Sequence, residues 1–242
     1  MQPPVSGNVT QCIRSSGVNL RPVHLTDELW FPDPRQAARG GAYDGLVAIG
    51  GDLSASRLLL AYRSGIFPWT DHPVTWWSPD PRAVFELDRF RAPESLIRVV
   101  RKGVFQITID RAFRRVMECC AAPSRGREST WISAEFIDAY TRLHEGGHAH
   151  SLECWKGAEL AGGIYGVALG GLFAGESMFH RQNNASKVAL YHLVEHLRRC
   201  GFGLFDIQMA TPITRQLGAG TISREEYLRR LKAAVELPIK FN

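Results

Sequence analysis

No stretch of the 242-residue sequence is long and apolar enough to span a bilayer, and the opening "MQPPVSGNVTQCIRSSG" lacks the apolar centre of a signal peptide. Cysteine is scarce. Cys12, Cys119, Cys120, Cys154 and Cys200 are odd in number, two are adjacent, and no C-x-x-C occurs. This excludes an evident disulfide framework or cysteine zinc site and favours reduced thiols in a cytoplasmic protein. No G-x-S-x-G, P-loop or G-x-G-x-x-G is present, and no serine or cysteine stands beside an evident base. An enzyme with this sequence is therefore expected to work without a covalent intermediate. Internal repeats and low-complexity tracts are also missing.

What is there suits one large domain or a small domain joined to a medium one, with 45% of residues hydrophobic. Residues 1–19 read as a flexible polar extension. From Trp30 to Pro81 the text is dense in Pro, Gly and aromatics, as in "WFPDPRQA", "GIFPW" and "WWSPDPR". One helix stands out there, "SASRLLLAYRSG", with Ser54 as N-cap and Gly65 as stop. Residues 20–81 thus predict a small, loop-rich N-terminal domain, and 82–242 a second domain of regular α and β periodicity.

In that second part, helices are expected over "PESLIRVVRKG", "DRAFRRVMECC" and "SAEFIDAYTRLHEGG". Strands follow at "AHSLECWKG", "LAGGIYGVAL" and "GLFAGESMF", then the helix "ASKVALYHLVEHLRRCG", the strand "GLFDIQM" and a last helix, "SREEYLRRLKAAV". Antiparallel strands followed by a strand–helix–strand crossover predict an α+β fold with a mixed sheet, the element order of GNAT-type acyltransferases.

Four groups of residues bear on chemistry. Glu176 sits in an apolar strand, where an unpaired carboxylate is costly or shifts its pKa upward. Asp206 and Gln208, two apart on the next strand, are expected on one face, so that two carboxylates and an amide meet in an apolar sheet. Helix capping or pairing with arginines would explain them equally. His192, Glu195 and His196 spell H-x-x-E-H, but all three fall on the polar face of their helix and read as solvated. His144, His148 and His150 could ligate a metal, although they flank a glycine turn and read better as turn and strand start. From Arg82 to Arg127 eleven Lys/Arg face five acids, a local excess of +6 against +5 for the whole chain. Such stripes suit phosphate binding as well as simple solvation. Trp69 and Trp131 lie in loop-like text, where an aromatic could stack on an unpaired base; core packing is the alternative.

The strings "GGDLS", "GIFPW", "WWSPDPRAV", "GESMF", "DIQ" and "NASK" together resemble the leucyl/phenylalanyl-tRNA–protein transferase family over residues 20–235. The resemblance implies a GNAT-like catalytic domain behind a small N-terminal domain. It implies transfer of Leu or Phe, with Met as a further candidate, from aminoacyl-tRNA to proteins with N-terminal Arg or Lys, in an N-degron pathway of protein degradation. No metal and no coenzyme A are implied. By position, Asp206 and Gln208 match the catalytic D-x-Q pair and Glu176 the acidic residue of the site. Ile164, Phe173, Met178, Leu190, Leu193, Leu197 and Phe205 match the aminoacyl pocket. Trp69 and Trp131 match tryptophans near the terminal adenosine of the tRNA, and Arg101 and Lys102 a basic pair on its backbone. After D-x-Q the family carries a His and Ser-Leu-Gly-Ala, whereas this chain reads "ATPITRQLGAG", so acceptor contacts there do not transfer.

Two alternatives come from other classes. A coenzyme A-dependent GNAT acyltransferase would need a glycine-rich pyrophosphate loop that "RQNNAS" lacks. A non-catalytic RNA-binding module would need the basic stripes and tryptophans but not Asp206, Gln208 or Glu176. Alternation also raises a problem. Phe205 and Asp206 fall on opposite faces of their strand, and Phe173 and Glu176 are out of phase unless Gly175 forms a bulge.

Overall fold

The computed structural model describes residues 23–123 and 130–242. The expected extension at 1–19, with Arg125 and Arg127, lies outside the described residues. Two sheets organise the chain. The smaller has four strands in the order β1-β2-β4-β3: β1 (Val23–Leu25), β2 (Leu46–Gly50), β3 (Phe67–Asp71) and β4 (Val74–Trp77). The proline- and glycine-rich text hid these strands, which the expectation of a loop-rich module did not include. The strands are too short for a period to show, and all four residues of β4, Val74-Thr75-Trp76-Trp77, are buried, so no polar alternation marks it. Between β2 and β3 runs α1 (Ala55–Arg63), whose N-cap Ser54 accepts from the Arg57 amide as its position predicts.

The larger sheet has seven strands in the order β11-β5-β10-β9-β8-β7-β6. These are β5 (Arg82–Phe85), β6 (Gln106–Ile109), β7 (Ala149–Lys156), β8 (Glu159–Leu169), β9 (Leu172–His180), β10 (Leu204–Asp206) and β11 (Gly220–Ile222). Strands β7, β8 and β9 form an antiparallel meander. The helix α5 (Ala185–Cys200) then crosses over and returns the chain as β10, parallel to β9. The mixed α+β sheet is as expected from the sequence. The other helices are α2 (Glu94–Arg101), α3 (Phe113–Ala121), α4 (Ala134–Glu145), the short α6 (Pro212–Gln216) and α7 (Arg224–Ala234).

One face of the large sheet packs on α5, forming an apolar cluster with Phe173, Leu190, Leu193, Leu197 and Phe205. The other face shares a core with the small sheet, joining Tyr62, Trp76 and Trp77 to Tyr140, Tyr165 and Ala174. Burying both faces explains why β8 and β9 are almost continuously apolar.

Two details of this sheet position the site. First, Tyr165 pairs with Ser177 and Gly166 with Gly175, so Glu176 is the extra residue of a β-bulge. A Cβ at Gly175 would stand 2.9 Å from the Phe205 ring, so the residue before the bulge has no room for a side chain. The bulge forms where the sequence asks for one, but its effect differs from the expectation. It returns Met178 to the face of Phe173 and leaves Glu176 on the opposite face, toward Tyr62. Second, β9 and β10 pair only as far as Ala174 and Asp206. Beyond that point β10 stays bonded to β5, with Ile207 N–H donating to the Ala83 carbonyl at 3.0 Å. The ladder between the two neighbours ends there, leaving a gap in their pairing. Gln208 therefore does not continue the strand beside Asp206; it stands past the strand end with φ +52°, and the expected strand alternation of this pair is corrected.

Candidate active site

At the gap the chain collects its least comfortable side chains. Asp206 is fully buried, and the guanidinium of Arg82, at the start of β5, holds it with two parallel bonds: Nε to Oδ1 at 2.9 Å and Nη2 to Oδ2 at 2.7 Å. Tyr227 of α7 donates its hydroxyl to Oδ2 at 2.9 Å. Burial opposes the Arg82 charge, but the Asp206 carboxylate raises its pKa above the ordinary value and keeps it charged. The remaining acceptor capacity of Asp206 goes to a backbone group: Gln208 N–H donates to Oδ1 at 2.9 Å. Asp206 thus fixes the strained φ of Gln208 rather than bonding its amide side chain.

The Gln208 side chain reaches across the gap instead. Its Nε2 donates to Glu176 Oε1 at 2.8 Å, and Tyr62 of α1 donates its hydroxyl to the same oxygen at 2.8 Å. Tyr62 is itself hydrogen-bonded to the Tyr140 hydroxyl, from α4. Glu176 is pushed up to about 8, first by burial and then by the nearby Asp206 charge, with the Tyr62 and Gln208 donors and Arg82 opposing. It is therefore a mostly protonated carboxyl at neutral pH, poised to ionise. Burial likewise raises the Tyr62 and Tyr140 hydroxyls well above the usual phenol range, so both remain donors.

Glu176 and Gln208 form one wall of an open cavity of about 360 Å³. Trp69 and Trp131 line it, and the segment Ile207–Pro212 completes it. Trp69 is 8% exposed and meets Trp77 edge-on at 5.2 Å, while Trp131 is half-buried and meets Phe136 edge-on at 5.2 Å. Both tryptophans are thus held by ring contacts while lining the cavity. Ile207 lines the cavity and also packs against the apolar cluster beneath α5.

The sequence-predicted pocket residues are brought together, but on the α5 side. Ile164, Phe173, Leu190, Leu193, Leu197 and Phe205 are buried against one another, and Met178 is half-buried beside them. Arg101 and Lys102 are exposed at the C-terminal end of α2. The polar face of α5 does not gather a metal set: Glu195 pairs with Arg198, and His196 Nε2 donates to the Phe241 carbonyl at 2.7 Å. His144 and His150 approach Asp110, while His148 takes no part. Each of the two rings has a partner there, His150 Nδ1 bonding Asp110 at 2.7 Å and His144 Nδ1 the Ala149 carbonyl at 2.8 Å.

Sequence reasoning missed Arg82, Tyr62, Tyr140 and Tyr227 as parts of the site. Arg82 counted only toward the basic excess. Tyr62 follows Leu58 and Ala61 at helical spacing, a pattern that reads as core and nothing more.

Among the described residues no helix is long and apolar enough to cross a membrane. Residues 84–232 match the profile of the family described as leucyl/phenylalanyl-tRNA protein transferase, and residues 51–80 match that of its N-terminal domain. A protein of that name from Shewanella pealeana is 51% identical over 83% of this chain and 85% of its own. One from Syntrophobacter fumaroxidans is 54% identical, covering 86% and 88%, and one from an Anaeromyxobacter species is 51% identical, covering 88% and 91%. Among solved structures, L-PGS from Bacillus licheniformis aligns at 14% identity with a TM-score of 0.40, over 74% of this chain and 62% of that one.

Proposed function

Since the chain belongs to the leucyl/phenylalanyl-tRNA–protein transferase family and is an aminoacyltransferase acting from tRNA to protein N-termini, we propose that the Glu176–Gln208 gap is where the amide bond forms. The observation that carries this reading is the convergence of Gln208 Nε2 and Tyr62 Oη on one oxygen of Glu176, at the wall of the tryptophan-lined cavity. We further propose that the aminoacyl group is Leu or Phe, with Met as a third substrate, and that the acceptors begin with Arg or Lys and are thereby marked for degradation.

The reaction is aminolysis of an activated ester. An acceptor α-amine, with pKa near 8, is mostly an ammonium at neutral pH and must lose a proton before it attacks. The amine nitrogen then bonds to the ester carbonyl carbon, the carbon–oxygen bond to the terminal ribose breaks, and a second N–H proton passes to the ribose oxygen. Gln208 has its Nε2 committed to Glu176, which leaves its amide oxygen to accept from the acceptor amine and orient it. Asp206 touches no substrate; it is a positioning residue that holds Gln208 through the backbone amide. Glu176 is the proton acceptor and the anionic partner of the acceptor. A cationic Arg or Lys entering the cavity favours its ionised form, so binding and proton release are linked.

The gap between β9 and β10 also supports a GNAT-like reading of the fold, since the crossover strand pair parts where the acyl group would sit. The end of the small sheet at Trp77 and the start of the large one at Arg82 support a division into 20–81 and 82–242. Ile207 and Met178 pack against the apolar cluster that holds Ile164, Phe173, Phe205, Leu190, Leu193 and Leu197. This apolar region is our proposed aminoacyl pocket. Its selectivity rests on size and apolarity, where one methylene is worth about 1–3 kcal/mol. Trp69 and Trp131 would stack on the terminal adenosine, and Arg101 and Lys102 would contact the tRNA backbone. The test is direct: charged Phe-tRNA is mixed with the protein and with peptides that begin with Arg or with Ala. Extension of the Arg peptide alone is expected, and extension of neither would refute the reading.

A further inference from the structure

The last residues of the chain, beyond the stretch matched by the family profile, fold back onto the α5 face of the sheet. Phe241 is only 3% exposed. Its ring stacks on His150 at 4.3 Å and on Phe173 at 5.4 Å, and meets Phe202 edge-on at 6.1 Å. Two hydrogen bonds anchor the segment beside the ring, one to the backbone and one through the Asn242 side chain. His196 Nε2 donates to the Phe241 carbonyl at 2.7 Å, and Asn242 Nδ2 donates to Asp110 Oδ2 at 2.9 Å. Asp110 is in turn held by Ser151 N–H at 2.8 Å and His150 Nδ1 at 2.7 Å. The H-x-x-E-H histidine and the Asp110–His150 pair, which the proposed chemistry does not use, thus find a common purpose in seating Phe241.

Three rings contact Phe173: Phe241 stacked at 5.4 Å, Phe205 edge-on at 5.6 Å and Phe202 edge-on at 6.4 Å. Phe205 is itself closely packed: a Cβ at Gly175 would come within 2.9 Å of its ring, and Phe85 lies at 5.3 Å. Of the three rings, Phe241 is the one stacked on Phe173, and it comes from the final residues, outside the sheet. We propose that Phe241 sets the depth of the aminoacyl pocket by fixing Phe173 from behind, and so determines the largest aminoacyl side chain transferred. The proposal rests on the pocket reading given above. Removing the Phe241 ring leaves room for Phe173 to move back, since a large-to-small change in a packed core leaves a cavity that its neighbours fill only in part. Aminoacyl groups bulkier than Phe gain space, and Leu, which the native pocket already admits, gains nothing.

The experiment is an internal competition among tRNAs charged with Leu, Phe and Trp, with one Arg-initiated peptide as acceptor. Wild type, Phe241→Ala, Phe241→Leu and Met178→Ala are compared. All tRNAs compete in one reaction, so the product ratio does not depend on how much of a variant is folded. The expected result is a Trp-to-Leu product ratio raised about tenfold in Phe241→Ala, and raised less in Phe241→Leu, which keeps most of the volume. If Phe241→Ala is too unstable to assay, the Phe241→Leu ratio decides. A ratio unchanged in the Phe241 variants but shifted in Met178→Ala would overturn the role of Phe241 and leave the pocket standing. A ratio unchanged in every variant would overturn the pocket reading itself.

Discussion

Arg82 grips Asp206 through two parallel bonds of 2.9 and 2.7 Å, in a place where neither side chain reaches water. An ion pair this deep is costly to assemble and more costly to halve. It joins the first strand after the small sheet to the last strand before the gap, and Asp206 also accepts the Tyr227 hydroxyl and the Gln208 amide.

The first expectation concerns stability. Asp206→Ala leaves the Arg82 charge buried without a partner and should cost about 3–5 kcal/mol. Gln208→Ala removes one side-chain bond and should cost about 0.5–1.5 kcal/mol. Denaturant midpoints of the two variants check this. Equal losses would mean that the pair is hydrated rather than buried.

A second expectation follows from the pH behaviour of Glu176. Its folded pKa of about 8 lies above the ordinary value of 4.5. Between those values the folded state holds a proton that the unfolded chain has released, so stability contributed by this group is full below pH 4.5 and is lost as pH rises through about 8. Glu176→Gln, which cannot ionise, should lack that decline. Parallel stability–pH curves for the two proteins would count against the assigned burial.

Tyr62→Phe removes a donor that favours the ionised form of Glu176. The midpoint at which transfer switches on should therefore move upward by about one pH unit, the equivalent of roughly 1.4 kcal/mol. The acceptor amine titrates in the same range but is untouched by this substitution, so the pH–rate profile separates the two groups. A profile that keeps its midpoint would remove Tyr62 from the site's electrostatics.

Replacing Arg101 and Lys102 together by Ala should weaken tRNA binding and flatten its dependence on salt, because fewer counterions are released. Binding measured at several salt concentrations reads this directly. An unchanged slope would make the two residues part of a solvated helix end.

Much of this was legible in the sequence for physical reasons. The meander and the crossover leave long apolar runs broken by glycine turns, and the parallel neighbours β9 and β10 follow from the helix between them. The bulge was legible because Glu176 and Phe173 could not both be satisfied by simple alternation, although which face each would take was not. The small sheet was not legible, since strands of three to five residues packed between prolines show no period. Neither was the role of Arg82 or Tyr62. Each acquires its partner from a residue more than a hundred positions away, and no local pattern records such a meeting.

The central claim is that the Gln208 side chain, held by Asp206 and bonded to Glu176, orients the attacking amine. It is tested most directly by single-turnover transfer from saturating Phe-tRNA to an Arg-initiated peptide, with tRNA affinity measured on the same samples. For Gln208→Ala the rate should fall about a hundredfold or more, the scale of effect that misplacing a reacting group produces, while tRNA affinity stays within about twofold of wild type, a difference of only about 0.4 kcal/mol. A variant that transfers at close to the wild-type rate would contradict the account.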